Sequence, residues 1–216
     1  MRGLIVGLLA ALTTTQIKGV TTSQIKALTS TDVGQLSTTQ VGALSVAQVG
    51  AMGTTQVAGL ATTQISSMAT TQLAALGTTN FTALNSTQVG ALTASQVKGL
   101  TNAQITAMSA SDVGELTSTQ IGGLSASQLG ALTTTAFAAM DTTQMGALNA
   151  TQMKGVTTSQ LKALSATDMG ELTTTQIAGL AANQMGALAG TQVSALTSTQ
   201  VGALTTSQIK GLTNAQ

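Results

Sequence analysis

The carboxylates are the side chains best suited to chemistry in this sequence, because it contains no His and no Cys. Two acidic pairs with the same internal spacing, Asp112/Glu115 and Asp168/Glu171, would be the candidates for a metal or partner site. Calcium prefers six or more oxygen ligands, and these pairs do not resemble the Asp-rich nonapeptide that binds calcium in repeat proteins. We therefore expect no metal site and interpret the pairs as surface charges.

The Ser and Thr hydroxyls do not predict a nucleophile. A hydroxyl attacks efficiently only when a neighbouring base activates it, and none of these residues has such a neighbour. The glycines are regularly spaced, but none forms a phosphate-binding loop after a strand. We expect no catalytic residue, no cofactor and no enzymatic activity.

The composition limits the partners of the chain. Charged residues make up 6% of the 216 residues and the net charge is +1, so there is no basic patch for nucleic acid. Hydrophobic residues make up 43%, which is enough to build a core and argues against general disorder. The polar surface must consist of Thr, Ser, Gln, Ala and Gly.

An eight-residue repeat organises nearly the whole chain. From Thr13 to Leu212 the sequence contains 25 octads without an insertion, followed by half an octad, 213–216. With the octad positions labelled a to h, position a is mostly Ser or Thr, position d is Gln in 21 of 26 units, and e and h are apolar. Such strict repetition is typical of a solenoid. Phe81 and Phe137 are seven octads apart, as are the two acidic pairs, which indicates an older duplication unit.

The octad predicts one very short helix. Position a as N-cap and Gln at d as the third helical residue form a capping box, and the apolar residues at h and e form a hydrophobic staple. Gly or Ala at f and g would end the helix. The six lysines all occupy f, near the helix C-terminus, where a cation is favoured. A single long helix is excluded, because eight residues rotate the apolar stripe by about 80° per octad.

We therefore predict an all-α solenoid of very short capped helices, one per octad. A β-solenoid remains the alternative, because Thr, Val and Ile favour strands and position c is Ser or Thr in 22 of 26 units. If two octads formed one coil, opposite charges that lie about two octads apart, such as Lys154 and Asp168, would be neighbours on adjacent coils.

The first twelve residues lack the polar half of the octad. We divide the chain into residues 1–12, an atypical apolar segment that is a first repeat, a cap or signal-like, and residues 13–216, the octapeptide-repeat solenoid. The apolar run 3–12 is about half as long as a bilayer requires, so we expect no transmembrane span.

The two ends of the sequence complement each other. Residues 213–216 occupy positions a to d, and residues 1–4 read as e to h, so tail and head together complete one octad. We predict a head-to-tail homopolymer, with a segment cut from a longer array as the alternative. The predicted assembly junction consists of Met1, Arg2, Gly3, Leu4, Leu8, Leu9, Thr213, Asn214, Ala215 and Gln216.

Units such as LTSTQVGAL (196–204) and LTTSQIKGL (204–212) resemble the octapeptide arrays of large bacterial secreted and cell-surface, adhesin-like proteins. The resemblance covers residues 12–216 and implies an extracellular or cell-surface location. Together with the predicted ends, it leads us to expect a structural subunit of a filament or stalk. The alternatives are an adhesin or spacer region of a larger surface protein and, less favoured, an ice-binding solenoid.

Overall fold

The computed structural model describes residues 9–216, and this part of the chain is helical with no strand. The prediction of an all-α solenoid of very short helices is confirmed, and the β-solenoid alternative is wrong. The described residues form 25 helices of five or six residues, one in each octad: α1 Thr14–Lys18, α2 Thr22–Lys26, α3 Ser30–Gly34, α4 Thr38–Ala43, α5 Val46–Gly50, α6 Thr54–Ala58, α7 Thr62–Ser66, α8 Thr70–Ala75, α9 Gly77–Phe81, α10 Ser86–Gly90, α11 Ala94–Lys98, α12 Asn102–Thr106, α13 Ala110–Gly114, α14 Ser118–Gly122, α15 Ala126–Ala131, α16 Thr134–Ala138, α17 Thr142–Gly146, α18 Ala150–Gly155, α19 Thr158–Ala163, α20 Ala166–Glu171, α21 Thr174–Gly179, α22 Ala182–Ala187, α23 Gly190–Ser194, α24 Ser198–Gly202 and α25 Thr206–Gly211.

The capping box predicted from positions a and d begins most of these helices. In α19, the Thr157 backbone N–H donates to Gln160 Oε1 at 2.7 Å, and the Gln160 N–H donates to Thr157 Oγ1 at 3.2 Å. Where Ala replaces the hydroxyl residue, as at Ala61, the Gln64 Oε1 still accepts the N-cap N–H at 2.7 Å. Two backbone donors at most helix starts are thus satisfied locally, which a helix of five residues needs in order to form.

Positions e and h form the core. The e side chains of the interior coils are almost completely buried, as Ile105 and Leu161 show, and the h side chains such as Leu132 are nearly so. Each fully buried aliphatic side chain stabilises the fold by about 1.5–3 kcal/mol. Because one octad supplies only two such residues, the helices are stable only when successive coils stack.

Within each of the two compact units, most helices pack on the third helix along the chain. The pairs α15 with α18, α18 with α21 and α22 with α25 are examples. Contacts between successive coils join residues three to four octads apart: Gly34 lies near Gly59, and Gln160 reaches Leu129 and Leu132, 31 and 28 residues earlier. One coil therefore contains about three and a half octads.

The Gln side chain at d also joins one coil to the next. In α19 the Gln160 Nε2 donates to Leu129 O at 2.9 Å and to Leu132 O at 2.8 Å, both at the end of the fourth preceding helix, α15. Gln184 donates in the same way to Met153 O and Val156 O. One amide therefore caps its own helix through its oxygen and binds the neighbouring coil through its nitrogen.

The premise of two octads per coil is wrong. Residues about two octads apart are separated by about half a coil, so Lys154 and Asp168 do not lie on adjacent coils at the same face. The reason is that the Gln amide at d donates to carbonyls of the fourth preceding octad, which lie 31 and 28 residues earlier.

Glycine at f and g does not end the helices through a left-handed residue. Gly77 is the one described residue with positive φ, at 66°. The glycines instead allow close approach of the coils, since a Cβ on Gly155 would lie 2.6 Å from the carbonyl carbon of Ala126. The predicted positions are right, but the physical reason is inter-coil packing.

Contacts divide the chain into two compact units, Met1–Ala107 and Met108–Gln216. Each unit has the same octad architecture and is described by itself. No helix within residues 9–216 is both long enough and apolar enough to cross a membrane.

Candidate functional site

A first candidate surface is the face of the coil that begins the described repeats. Gln16 and Gln24 accept the N-cap N–H through Oε1, at 2.9 and 2.8 Å, as the interior glutamines do. Both side chains are exposed, and within residues 9–216 their Nε2 groups have no carbonyl partner. We call this pair of amide donors, which have no acceptor among the described residues, the amide face.

A second candidate surface is the face of the last coil. Val201 and Ile209 occupy position e, which is buried in the interior coils, yet they are 47% and 48% exposed. Their carbonyls, and those of Leu204 and Leu212 at h, receive no Gln amide in the described structure. Residues 201–212 thus present two half-exposed apolar side chains beside two pairs of carbonyl acceptors. We call this surface the carbonyl face.

The two faces have complementary chemistry and equal spacing. Gln16 and Gln24 are one octad apart, as are Val201 and Ile209. In the interior, each Gln donates to an e carbonyl 31 residues earlier and an h carbonyl 28 residues earlier. The amide face therefore carries two donors, and the carbonyl face carries two pairs of acceptors. Together they have the groups needed to form one more coil-to-coil contact of the interior type.

The structure describes only some of the predicted junction residues. Met1, Arg2, Gly3, Leu4 and Leu8 fall outside the described residues. Leu9 is buried, and its carbonyl accepts from Gln40 Nε2 at 2.9 Å.

At the other end, the half octad Thr213, Asn214, Ala215 and Gln216 is bonded to its own chain. Gln216 Oε1 accepts the Thr213 N–H at 2.7 Å, and Gln216 Nε2 donates to Met185 O at 3.0 Å and Leu188 O at 2.6 Å. Residues 213–216 are nonetheless exposed or half-buried, and the carbonyl face, residues 201–212, belongs to the same last coil. Sequence reasoning missed this face because it did not reveal which octads the d amide joins.

One of the acidic pairs singled out by the sequence lies beside a cavity between coils. Asp168 and Glu171 line a cavity of about 230 Å³ together with Asp141, Met140 and Met145. Asp168 Oδ2 accepts the Ser165 N–H at 2.8 Å, so the carboxylate keeps the capping function of Gln. A carboxylate has no N–H to donate to the neighbouring coil, and the shorter side chain leaves space there.

Within residues 9–216, no group of three or more His, Cys, Asp or Glu side chains is arranged to hold a metal ion. The pair Asp112/Glu115 is arranged like Asp168/Glu171, with Asp112 Oδ2 accepting the Ser109 N–H at 2.8 Å.

Comparison with known proteins supports the repeat itself. The profile of the ALTTAQ repeat matches the chain in tandem at residues 9–38, 27–62, 36–70 and 65–102. A comparison with curated proteins finds no match. Residues 9–102 are thus similar to an array of ALTTAQ repeats, in agreement with the octad described here.

Proposed function

We propose that this chain is a non-enzymatic structural protein that assembles head to tail into an extracellular or cell-surface filament. The observation that carries the proposal is the match between the amide face and the carbonyl face. In the proposed junction, Gln16 of one copy donates to the carbonyls of Val201 and Leu204 of the next copy. Gln24 donates to those of Ile209 and Leu212.

The junction has the same chemistry as an interior coil contact. Val201 and Ile209 would become buried, as e residues are elsewhere, and the free amides would gain acceptors. The contact uses different surfaces on the two partners, so it is heterologous and does not close unless the geometry forms a ring. Because it contains almost no ionic component, we expect elongation to depend little on salt.

The test uses two face variants in sedimentation velocity and electron microscopy over a range of concentrations. Val201→Asp with Ile209→Asp places charges on the carbonyl face, and Gln16→Glu with Gln24→Glu removes the donors of the amide face while preserving the cap. We expect filaments of constant width for the native chain and no elongation for either variant alone. The matched control is Val46→Asp, because Val46 is 49% exposed at position b, away from both faces.

Mixing the two variants makes the test specific. Each variant retains one intact face, so an equimolar mixture should form dimers and nothing longer. A mixture that remains monomeric, or either variant elongating like the native chain, would refute the proposed junction. Discrete native particles at every concentration would favour the alternative of a spacer segment.

The location is tested separately, by labelling with antibodies against the repeat. Intact cells of the source organism should bind the antibodies as well as permeabilised cells do. Labelling that requires permeabilisation would contradict an extracellular or cell-surface location and leave the assembly proposal unaffected.

A further inference from the structure

The acidic residues of the unit 108–216 lie along one side of the solenoid. Asp112 and Glu115 precede Asp141, and Asp168 and Glu171 follow it, in each case by about three and a half octads. This separation is one coil, the same as that of residues in contact between successive coils. We call these five residues the acidic stripe.

Direct contacts support this placement. Asp141, Asp168 and Glu171 line the same cavity between coils. The next coil is joined by Gln144, in the octad of Asp141, whose Nε2 donates to Val113 O at 2.8 Å and to Leu116 O at 2.5 Å, on either side of Glu115. The stripe therefore runs over three consecutive coils.

Two lysines of the same unit lie on the opposite side. Lys154 is almost midway between Asp141 and Asp168 in the sequence, which places it half a coil from each. Lys210 lies seven octads, or two coils, beyond Lys154 and therefore on the same side. Both are exposed at position f, near a helix C-terminus. We call this pair the lysine row.

The stripe and the row cannot neutralise each other within one unit. None of Lys154, Lys162 and Lys210 forms an ion pair with a described carboxylate, and Lys162 lies about a quarter of a turn away from the acidic stripe. The remaining surface is polar and almost uncharged, since charged residues make up 6% of the chain. The two sides are therefore the dominant electrostatic features of this unit.

The two sides also have the same repeat along the solenoid. Lys154 and Lys210 are seven octads apart, and so are the acidic pairs Asp112/Glu115 and Asp168/Glu171. With coils about 8–10 Å apart, this spacing is roughly 16–20 Å on both sides. Two parallel copies can therefore bring both lysines of one against both acidic pairs of the other in a single register.

We propose that the lysine row binds the acidic stripe of a second copy of this chain, side by side. The two surfaces lie on opposite sides, so each bound copy presents a free row or stripe to the next, and the association extends into sheets. This contact is distinct from the head-to-tail junction, and the two together would bundle filaments laterally.

The experiment measures lateral association by light scattering and electron microscopy of the full chain. We expect side-by-side association at about 20 mM salt and its loss at about 500 mM, because screening shortens the range of exposed charges. Glu115→Lys with Glu171→Lys, or Lys154→Glu with Lys210→Glu, should each weaken lateral association by at least about tenfold. The neutral variant Glu115→Gln with Glu171→Gln should also weaken lateral association, and it should change the electrostatics of the helix ends less than the charge reversal does.

The matched control is an equimolar mixture of the two double variants. The variant with Glu115→Lys and Glu171→Lys keeps the lysine row, and the variant with Lys154→Glu and Lys210→Glu keeps the acidic stripe, so the mixture should form lateral pairs again. Failure of the mixture to associate, with native circular dichroism spectra of both variants, would overturn the proposal. Lateral association of the native chain that does not change with salt concentration would also overturn the proposal.

A second background separates this contact from head-to-tail assembly. The chain with Gln16→Glu and Gln24→Glu, both outside the unit 108–216, should no longer elongate but should still pair laterally at low salt. Loss of lateral pairing in that background would contradict an independent side-by-side contact.

Discussion

Replacement of Gln160 by Met tests how the coils are held together. Gln160 is 1% exposed, and its Oε1 accepts from the Thr157 N–H and hydroxyl, while Nε2 donates to the carbonyls of Leu129 and Leu132. Met has nearly the same length and fills the same space, so the change removes hydrogen bonds with little cavity.

The magnitude follows from which partners remain buried. The Thr157 N–H lies at an exposed N-cap and can bind water, whereas the two carbonyls face the interior between coils. A net hydrogen bond contributes about 0.5–1.5 kcal/mol, and a buried group left without its partner costs more. We expect Gln160→Met to destabilise the two joined octads by about 2–4 kcal/mol in total.

Hydrogen exchange measured by mass spectrometry is the suitable assay, because long repeat arrays need not unfold in one step. At about 1.4 kcal/mol per tenfold change, protection in residues 125–132 and 157–164 should fall by roughly thirtyfold to several hundredfold. Gln35→Met is the matched control, since Gln35 is exposed at position g and its loss should change stability by less than about 0.5 kcal/mol. Equal effects of the two substitutions would refute the bridging role of the d amide.

Three further predictions test other parts of the fold. Gln160→Glu keeps the acceptor of the cap but places a carboxylate against two carbonyls, which raises the pKa of the Glu carboxyl on folding. The destabilisation should therefore be largest at neutral pH and decrease as the pH falls, as urea titrations at several pH values would show. A penalty independent of pH would contradict this. Gly155→Ala should destabilise by about 1–3 kcal/mol because the Cβ meets the Ala126 backbone, whereas Gly146→Ala, with no atom within 4 Å, should be neutral or slightly stabilising in thermal unfolding. Equal melting temperatures of the two would argue against close packing at g. Phe137 is fully buried, so Phe137→Ala should cost about 3–5 kcal/mol and Phe137→Leu less than about 1.5 kcal/mol in the same assay, and a mild Phe137→Ala would show that this aromatic is not a core residue.

The local structure was predictable from the sequence because it depends on residues within one octad. The capping boxes, the core positions and the lysines in the last helical turn all follow from short spacings within the octad, as Thr157, Gln160 and Lys162 illustrate. The Ser and Thr at position c, which favoured the strand alternative, instead lie in the first helical turn.

The arrangement of the coils was not predictable in the same way. It depends on the Nε2 group of the Gln at position d, which donates to backbone carbonyls 28 and 31 residues earlier. Any residue type supplies such a carbonyl, so the sequence does not mark the acceptor. The carbonyl face was missed for the same reason. The pattern pointed to residues 213–216 and did not indicate the exposed side chains of Val201 and Ile209.

A coil of about three and a half octads also restricts how such a gene can change in length. Gain or loss of a single octad would turn every later side chain by about two sevenths of a turn relative to the earlier ones. Gain or loss of seven octads restores the original orientation, because it adds or removes two whole coils. The recurrence of Phe81 at Phe137, and of Asp112 at Asp168, has this length of seven octads. Recombination between copies can therefore vary the length of the protein without disturbing its outward-facing pattern, provided that it exchanges blocks of seven octads.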